Sequence, residues 1–206
     1  KLNNDVMAQK EFEKSISKDK KYFEPRLALA DLFVRNKKQK EALEQINSIL
    51  TLDPKNAMAY IVRSKIYKAN LDYPNAINDV SKTILIDPEN PEYYMTRGTY
   101  YQEFNQQLSA IADFSKYISL KPDDPDAYFA RAKSYQDMMN FEKAIEDYNK
   151  ITILSEFDAR ARKMLKEAQT RLYELNRENV PPELTIATPV VSDNNIMEIK
   201  GNANSI

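Results

Sequence analysis

The sequence contains no cysteine and no histidine, and only two glycines, Gly98 and Gly201, in 206 residues. Without cysteine there are no disulfides and no thiolate metal sites, and the compartment stays open, cytoplasmic or extracytoplasmic (periplasmic). Without histidine the chain lacks the commonest general base and the commonest transition-metal ligand. Two isolated glycines cannot build a phosphate-cradling loop. No apolar run reaches the length of a membrane span, so no membrane insertion is expected. Neither sign of charge dominates: Lys and Arg total 30, Asp and Glu total 31, and the net charge is −1. A nucleic-acid module normally carries a basic footprint, which is missing here, so no nucleic acid is expected as partner. The chain opens on Lys1, without initiator methionine or signal peptide, and is expected to be a piece of a longer, multidomain protein.

What is present is a repeat. The hydrophobic share of 42% is enough for a sizeable core. Three segments align when the chain is folded back on itself: EALEQINSILTLDP, NAINDVSKTILIDP and LSAIADFSKYISLKP. Their prolines, Pro54, Pro88 and Pro122, fall every 34 residues, and a fourth copy, KAIEDYNKITILSE, puts Glu156 in the proline's place. A fixed period of this size is the mark of a solenoid. The frame predicts four full repeats, 23–56, 57–90, 91–124 and 125–158, each made of two helices.

The columns of this alignment have physical reasons. Ala30, Ser64, Gly98 and Ala132 share one position, and Ala42, Ala76, Ala110 and Ala144 another. Small side chains mark where two helices cross closely. Phe33, Tyr67, Tyr101 and Tyr135 form a large column beside the crossing, and Ile46, Val80, Phe114 and Tyr148 form a fourth. The prolines follow the second helix, where they are expected to stop it.

This pattern resembles the tetratricopeptide repeat. The family's small residue at position 8, aromatic at 11, Ala at 20, apolar or aromatic at 24 and Pro at 32 recur over about residues 23–158. The family's Trp at position 4 is replaced by Tyr60, Tyr94 and Tyr128, and by Arg26 in the first copy. The resemblance implies an all-α, right-handed superhelix of antiparallel helix pairs with a concave, ligand-binding face. Residues 1–22 read as the second helix of a truncated preceding repeat, through Ala8, Phe12 and Ile16. Residues 159–176 read as a cap helix, with Ala161, Leu165, Ala168, Leu172 and Leu175 on one stripe and charged residues elsewhere.

Two further columns depart from the family. Position 7, usually Leu, is Arg63, Arg97 and Arg131 in the last three repeats. Sixteen residues later stand Asp79, Asp113 and Asp147. The first repeat has Leu29 and Gln45 instead, so the arginines and aspartates appear and disappear together. Recurrence with the repeat marks them as structural salt bridges rather than as a catalytic or ligand-binding acid.

In this family the first helix of each repeat lines the groove. Position 5 reads Leu27, Ile61, Met95 and Phe129, an apolar stripe at a place the core does not require. Asp31, Lys65, Thr99 and Lys133 at position 9, with Lys68 and Gln102 at position 12, flank it. Such a track suits a peptide or a protein segment with apolar anchors. The alternative is a stripe covered by packing within the solenoid. The chaperone-binding members hold a C-terminal carboxylate with Lys and Asn at positions 5 and 9. Leu27 and Asp31 stand there in the first repeat, so heat-shock chaperone tails are not expected as partners.

Asp123, Asp124 and Asp126 could suggest a metal site, but acids before a helix are favoured by its N-terminal dipole. No catalytic residue, metal or cofactor is expected, and the chain is expected to be a non-enzymatic protein-binding scaffold. The rival is a recruiting or regulatory arm of a larger protein whose catalytic or adhesive domain lies elsewhere. After Asn176 the composition changes. Leu184–Ile186 and Ile196–Ile199 read as short strands around a turn at Ser192–Asn195. This tail, 177–206, resembles the first strands of bacterial Ig-like domains. It either opens a β domain or docks on the solenoid or a neighbouring chain, which would give tail-mediated self-association.

Overall fold

The computed structural model describes residues 2–156 and 158–178. The strands expected near 184–186 and 196–199 lie outside the described residues. Among the described residues ten α-helices follow one another: α1 (Leu2–Lys18), α2 (Glu24–Arg35), α3 (Gln39–Leu52), α4 (Ala57–Ala69), α5 (Tyr73–Ile86), α6 (Pro91–Glu103), α7 (Gln107–Leu120), α8 (Pro125–Asp137), α9 (Phe141–Leu154) and α10 (Ala159–Glu178). Each helix packs on its neighbours in sequence, and the architecture is an all-α solenoid.

The turns between repeats are written in single residues. Asn56, Asn90, Asp124 and Asp158 occupy one column, and each accepts a backbone N–H from the first turn of the next helix. Pro91 and Pro125 then open α6 and α8, where a missing N–H costs nothing. The second helices end two residues before Pro54, Pro88 and Pro122, with Asp53, Asp87 and Lys121 extended as the residue before proline prefers. Ser155 adopts the same conformation, φ −141° and ψ 91°, although Glu156 follows it. The stop therefore does not require the proline; the capping Asp158 is retained where the proline is lost.

The turn inside each repeat is a Schellman motif. In the second repeat Asp72 N–H reaches Tyr67 C=O at 2.9 Å, and Leu71 N–H reaches Lys68 C=O at 2.9 Å. The same pair of bonds closes the other three turns. The residue at the left-handed position is Lys37, Leu71, Asn105 and Met139, with φ of 59–61° in all four. Glycine is absent from every one, although a left-handed conformation costs other residues about 1–2 kcal/mol. Leu71→Gly is therefore expected to raise stability by about 0.5–1 kcal/mol, after the larger chain entropy of glycine is subtracted. That corresponds to an increase of about 1–4 °C in thermal midpoint. A lowered midpoint would show that the Leu71 side chain stabilises the turn.

The core follows the columns. Ala30, Ser64, Ala132 and all four alanines of the second small column are fully buried, as are Ile46, Val80, Phe114 and Tyr148. Gly98 lies under the Phe114 ring. A methyl group placed on it would fall 2.7 Å from Phe114 Cε1. Ala8, Phe12 and Ile16 of α1 pack on the first cluster, and Leu165, Leu172 and Leu175 of α10 pack on the last.

Candidate functional site

Two sets of side chains on the first helices carry chemistry. One is a ladder of arginines. Arg97 donates from Nε to Asp113 Oδ2 at 2.7 Å and from Nη2 to Asp113 Oδ1 at 2.7 Å. Arg63 grips Asp79 and Arg131 grips Asp147 in the same two-pronged way, at 2.7–2.9 Å. The aspartates are buried. The hydrogen bonds to them push all three arginines above the ordinary arginine range, against the opposing effect of burial.

The third guanidinium nitrogen reaches backwards. Arg63 Nη1 donates to Asn47 Oδ1 at 2.6 Å, Arg97 Nη1 to Ser81 Oγ at 3.0 Å, and Arg131 Nη1 to Ser115 Oγ at 3.0 Å. Each arginine thus ties both helices of its own repeat to the second helix of the preceding one. Two tyrosine rings flank it. Arg97 lies 6.0 Å from the Tyr94 centroid and 5.8 Å from Tyr101, and the other two arginines repeat this. That explains tyrosine in place of tryptophan at position 4. Besides facing the guanidinium, Tyr60, Tyr94 and Tyr128 donate their hydroxyls to the carbonyls of Pro54, Pro88 and Pro122. The first repeat lacks this arrangement, and there Arg26 Nη1 donates to Gln45 Oε1 at 3.2 Å. The Asn47, Ser81 and Ser115 column was missed in the sequence, where its small polar residues give a faint signal.

The second set is the expected groove stripe. Leu27, Ile61, Met95 and Phe129 are each partly buried and pack against a core cluster. Phe129 is the most committed. Its ring meets Tyr148 edge-on at 5.8 Å, and the Arg160 guanidinium lies 5.2 Å from its centroid. Arg160 is in turn held by Asp126 and Asp158. Asp124 and Asp126 of the acidic turn therefore serve as a helix cap and an ion-pair partner.

The flanking residues separate into two groups. Asp31, Lys65 and Lys133 are exposed, with Asp31 paired to Arg35 at 3.1 Å. Lys68, Thr99 and Gln102 are partly buried. Lys68 pairs with Glu103 at 3.1 Å, Thr99 Oγ1 donates to Met95 C=O at 2.8 Å, and Gln102 Nε2 donates to Ala130 C=O and Ser134 Oγ. Lys68 and Gln102 bridge successive repeats. No helix among the described residues is long and apolar enough to cross a membrane.

A column of side chains that recurs every 34 residues, on stacked helix pairs closed by repeated caps, defines a helical-repeat solenoid. Residues 64–134 and 125–156 match two family models, each described as tetratricopeptide repeat. Over residues 64–156 the chain carries tetratricopeptide repeats. No curated protein matches it significantly. Among solved structures it is similar to MamA, with 21% identity, TM-score 0.65, 74% of this chain and 89% of MamA covered. It is also similar to YrrB, a TPR protein with an unusual peptide-binding site, with 22% identity, TM-score 0.66 and coverage of 81% and 85%. The first TPR of Spaghetti (RPAP3), bound to the HSP90 peptide SRMEEVD, shares 22% identity at TM-score 0.53, covering 59% of this chain and 96% of that one. These likenesses show the fold.

Proposed function

We propose that the chain is a non-catalytic protein–protein interaction scaffold that holds a peptide or partner segment on the first-helix face. Leu27, Ile61 and Met95 supply the apolar contacts, and Asp31, Lys65 and Lys133 the polar rim. The observation that carries this reading is the stripe itself. Three partly buried apolar side chains recur once per repeat, each one helical turn from position 9, where Asp31 and Lys65 are exposed. The Phe129 ring is already engaged by Tyr148 and Arg160. Solenoids of this kind use such extended surfaces for binding, and the YrrB and Spaghetti structures are each described with a peptide or a peptide site. The partner is not a chaperone tail, because Leu27 and Asp31 stand where the clamp needs Lys and Asn.

The test uses peptides selected from a displayed library on the parent protein, followed by calorimetry. Ile61→Lys with Met95→Lys is expected to weaken binding by about 2 kcal/mol or more, roughly 30-fold, while the helical circular dichroism stays unchanged. Unchanged affinity, or a molten variant, would show that the stripe serves packing alone.

A further inference from the structure

The turns inside the repeats carry a second surface. Met139 sits at the left-handed position of the fourth turn, φ 59°, and its side chain is 71% exposed. Methionine there bears both the backbone cost of that conformation and the cost of an apolar group in water. The third repeat has Asn105 at the same place, which avoids both. Leu71 shares that strain and exposure; at Met139 they coincide with two clefts and an acidic rim, and this combination points to a contact outside the chain.

The surroundings support this. Met139, with Phe141 and Leu175, lines a cavity of about 530 Å³ where α10 crosses the fourth turn. Its preceding residue, Met138, lines a second cavity of about 420 Å³ at the third turn, beside Leu108, which is 71% exposed. The two methionines thus each line a cleft of mixed character, with Phe141 and Leu175 the other apolar residues in one and Leu108 in the other. Methionine is polarisable and unbranched, and adapts to an incoming apolar surface. The rim of the larger cleft is acidic. Asp137, Glu167, Glu174 and Glu178 face one base, Arg171, which is paired to Glu174 at 3.1 Å.

We propose that this turn edge docks a basic amphipathic helix of a partner protein, with apolar anchors in the two clefts and lysines or arginines on the carboxylate rim. Charge selects that occupant. The chain's own residues 179–206 contain Glu183, Asp193 and Glu198 against a single Lys200, the wrong sign for the rim. The site is separate from the first-helix stripe and stands or falls independently of it.

The probe is a fluorescein-labelled synthetic helix built of lysine and leucine, followed by anisotropy at physiological salt. It is expected to bind, whereas its glutamate–leucine counterpart does not. Leu108→Ser with Met139→Asn is expected to weaken binding by at least about tenfold. The Met139 change reproduces the residue of the third turn, so folding is retained. Glu167→Lys with Glu174→Lys should weaken it similarly, and Ile61→Lys with Met95→Lys should leave it intact. Equal binding of the two peptides, or full binding by the Leu108→Ser and Met139→Asn variant, overturns the proposal. So does a concentration-dependent dimer in sedimentation that this variant abolishes, since the occupant is then a second copy.

Discussion

Arg97→Ala is expected to lower stability by about 3–5 kcal/mol in urea denaturation, one of the two largest losses foreseen for this chain. The side chain of Asp113 is 7% exposed, and removal of the guanidinium leaves its carboxylate buried without a counter-ion. Ser81 loses the Nη1 donor, and Tyr94 and Tyr101 lose the cation between their rings. Because Arg97 joins two repeats, the urea dependence should also become shallower as the halves of the array uncouple. Replacing both partners, Arg97→Leu with Asp113→Leu, should recover most of the loss, since apolar pairs of similar volume often match a buried ion pair. If Arg97→Ala unfolds at the parent's urea concentration, the ladder contributes nothing to stability.

Phe114→Ala is expected to cost about 3–5 kcal/mol, because a fully buried ring is removed from the centre of the third repeat. Gly98→Ala should also destabilise, by up to about 2 kcal/mol. The added methyl would lie 2.7 Å and 2.9 Å from the Phe114 ring, and that ring is fully buried. Overpacking costs about 1–3 kcal/mol, partly offset by alanine's better helix propensity. The informative variant combines Gly98→Ala with Phe114→Val, a small-and-branched pairing like Ser64 with Val80 in the second repeat. Its cost should be well below the sum of the single changes, because the methyl refills part of the space that the ring vacates. Strict additivity in that cycle would show that residues 98 and 114 do not constrain each other.

Much of the fold is legible in one dimension because a solenoid reuses one local solution. The capping column Asn56, Asn90, Asp124 and Asp158 recurs because every first helix has the same unpaired N–H groups. The alanines at 42, 76, 110 and 144 recur because every helix pair crosses at the same distance. The proline column is a weaker guide, since α9 stops at Ser155 without it. The left-handed turn positions left no trace in the sequence, since Lys37, Leu71, Asn105 and Met139 share a backbone conformation and no side-chain chemistry.

For the candidate site, the sequence alone determined which columns differ from the usual repeat: arginine at position 7, aspartate sixteen residues later, and an apolar residue at position 5. Contacts between successive repeats were decided only by the tertiary structure. Gln102 bonds to Ser134, Lys68 to Glu103, and each Arg Nη1 to the repeat before it. The Arg160 guanidinium lies over the Phe129 ring, joining the cap helix to the last repeat. The physical reason is that periodicity records what each repeat needs for itself. The offset of one repeat on the next depends on side-chain volumes packed between them, and that offset settles which polar groups meet and which apolar ones stay open.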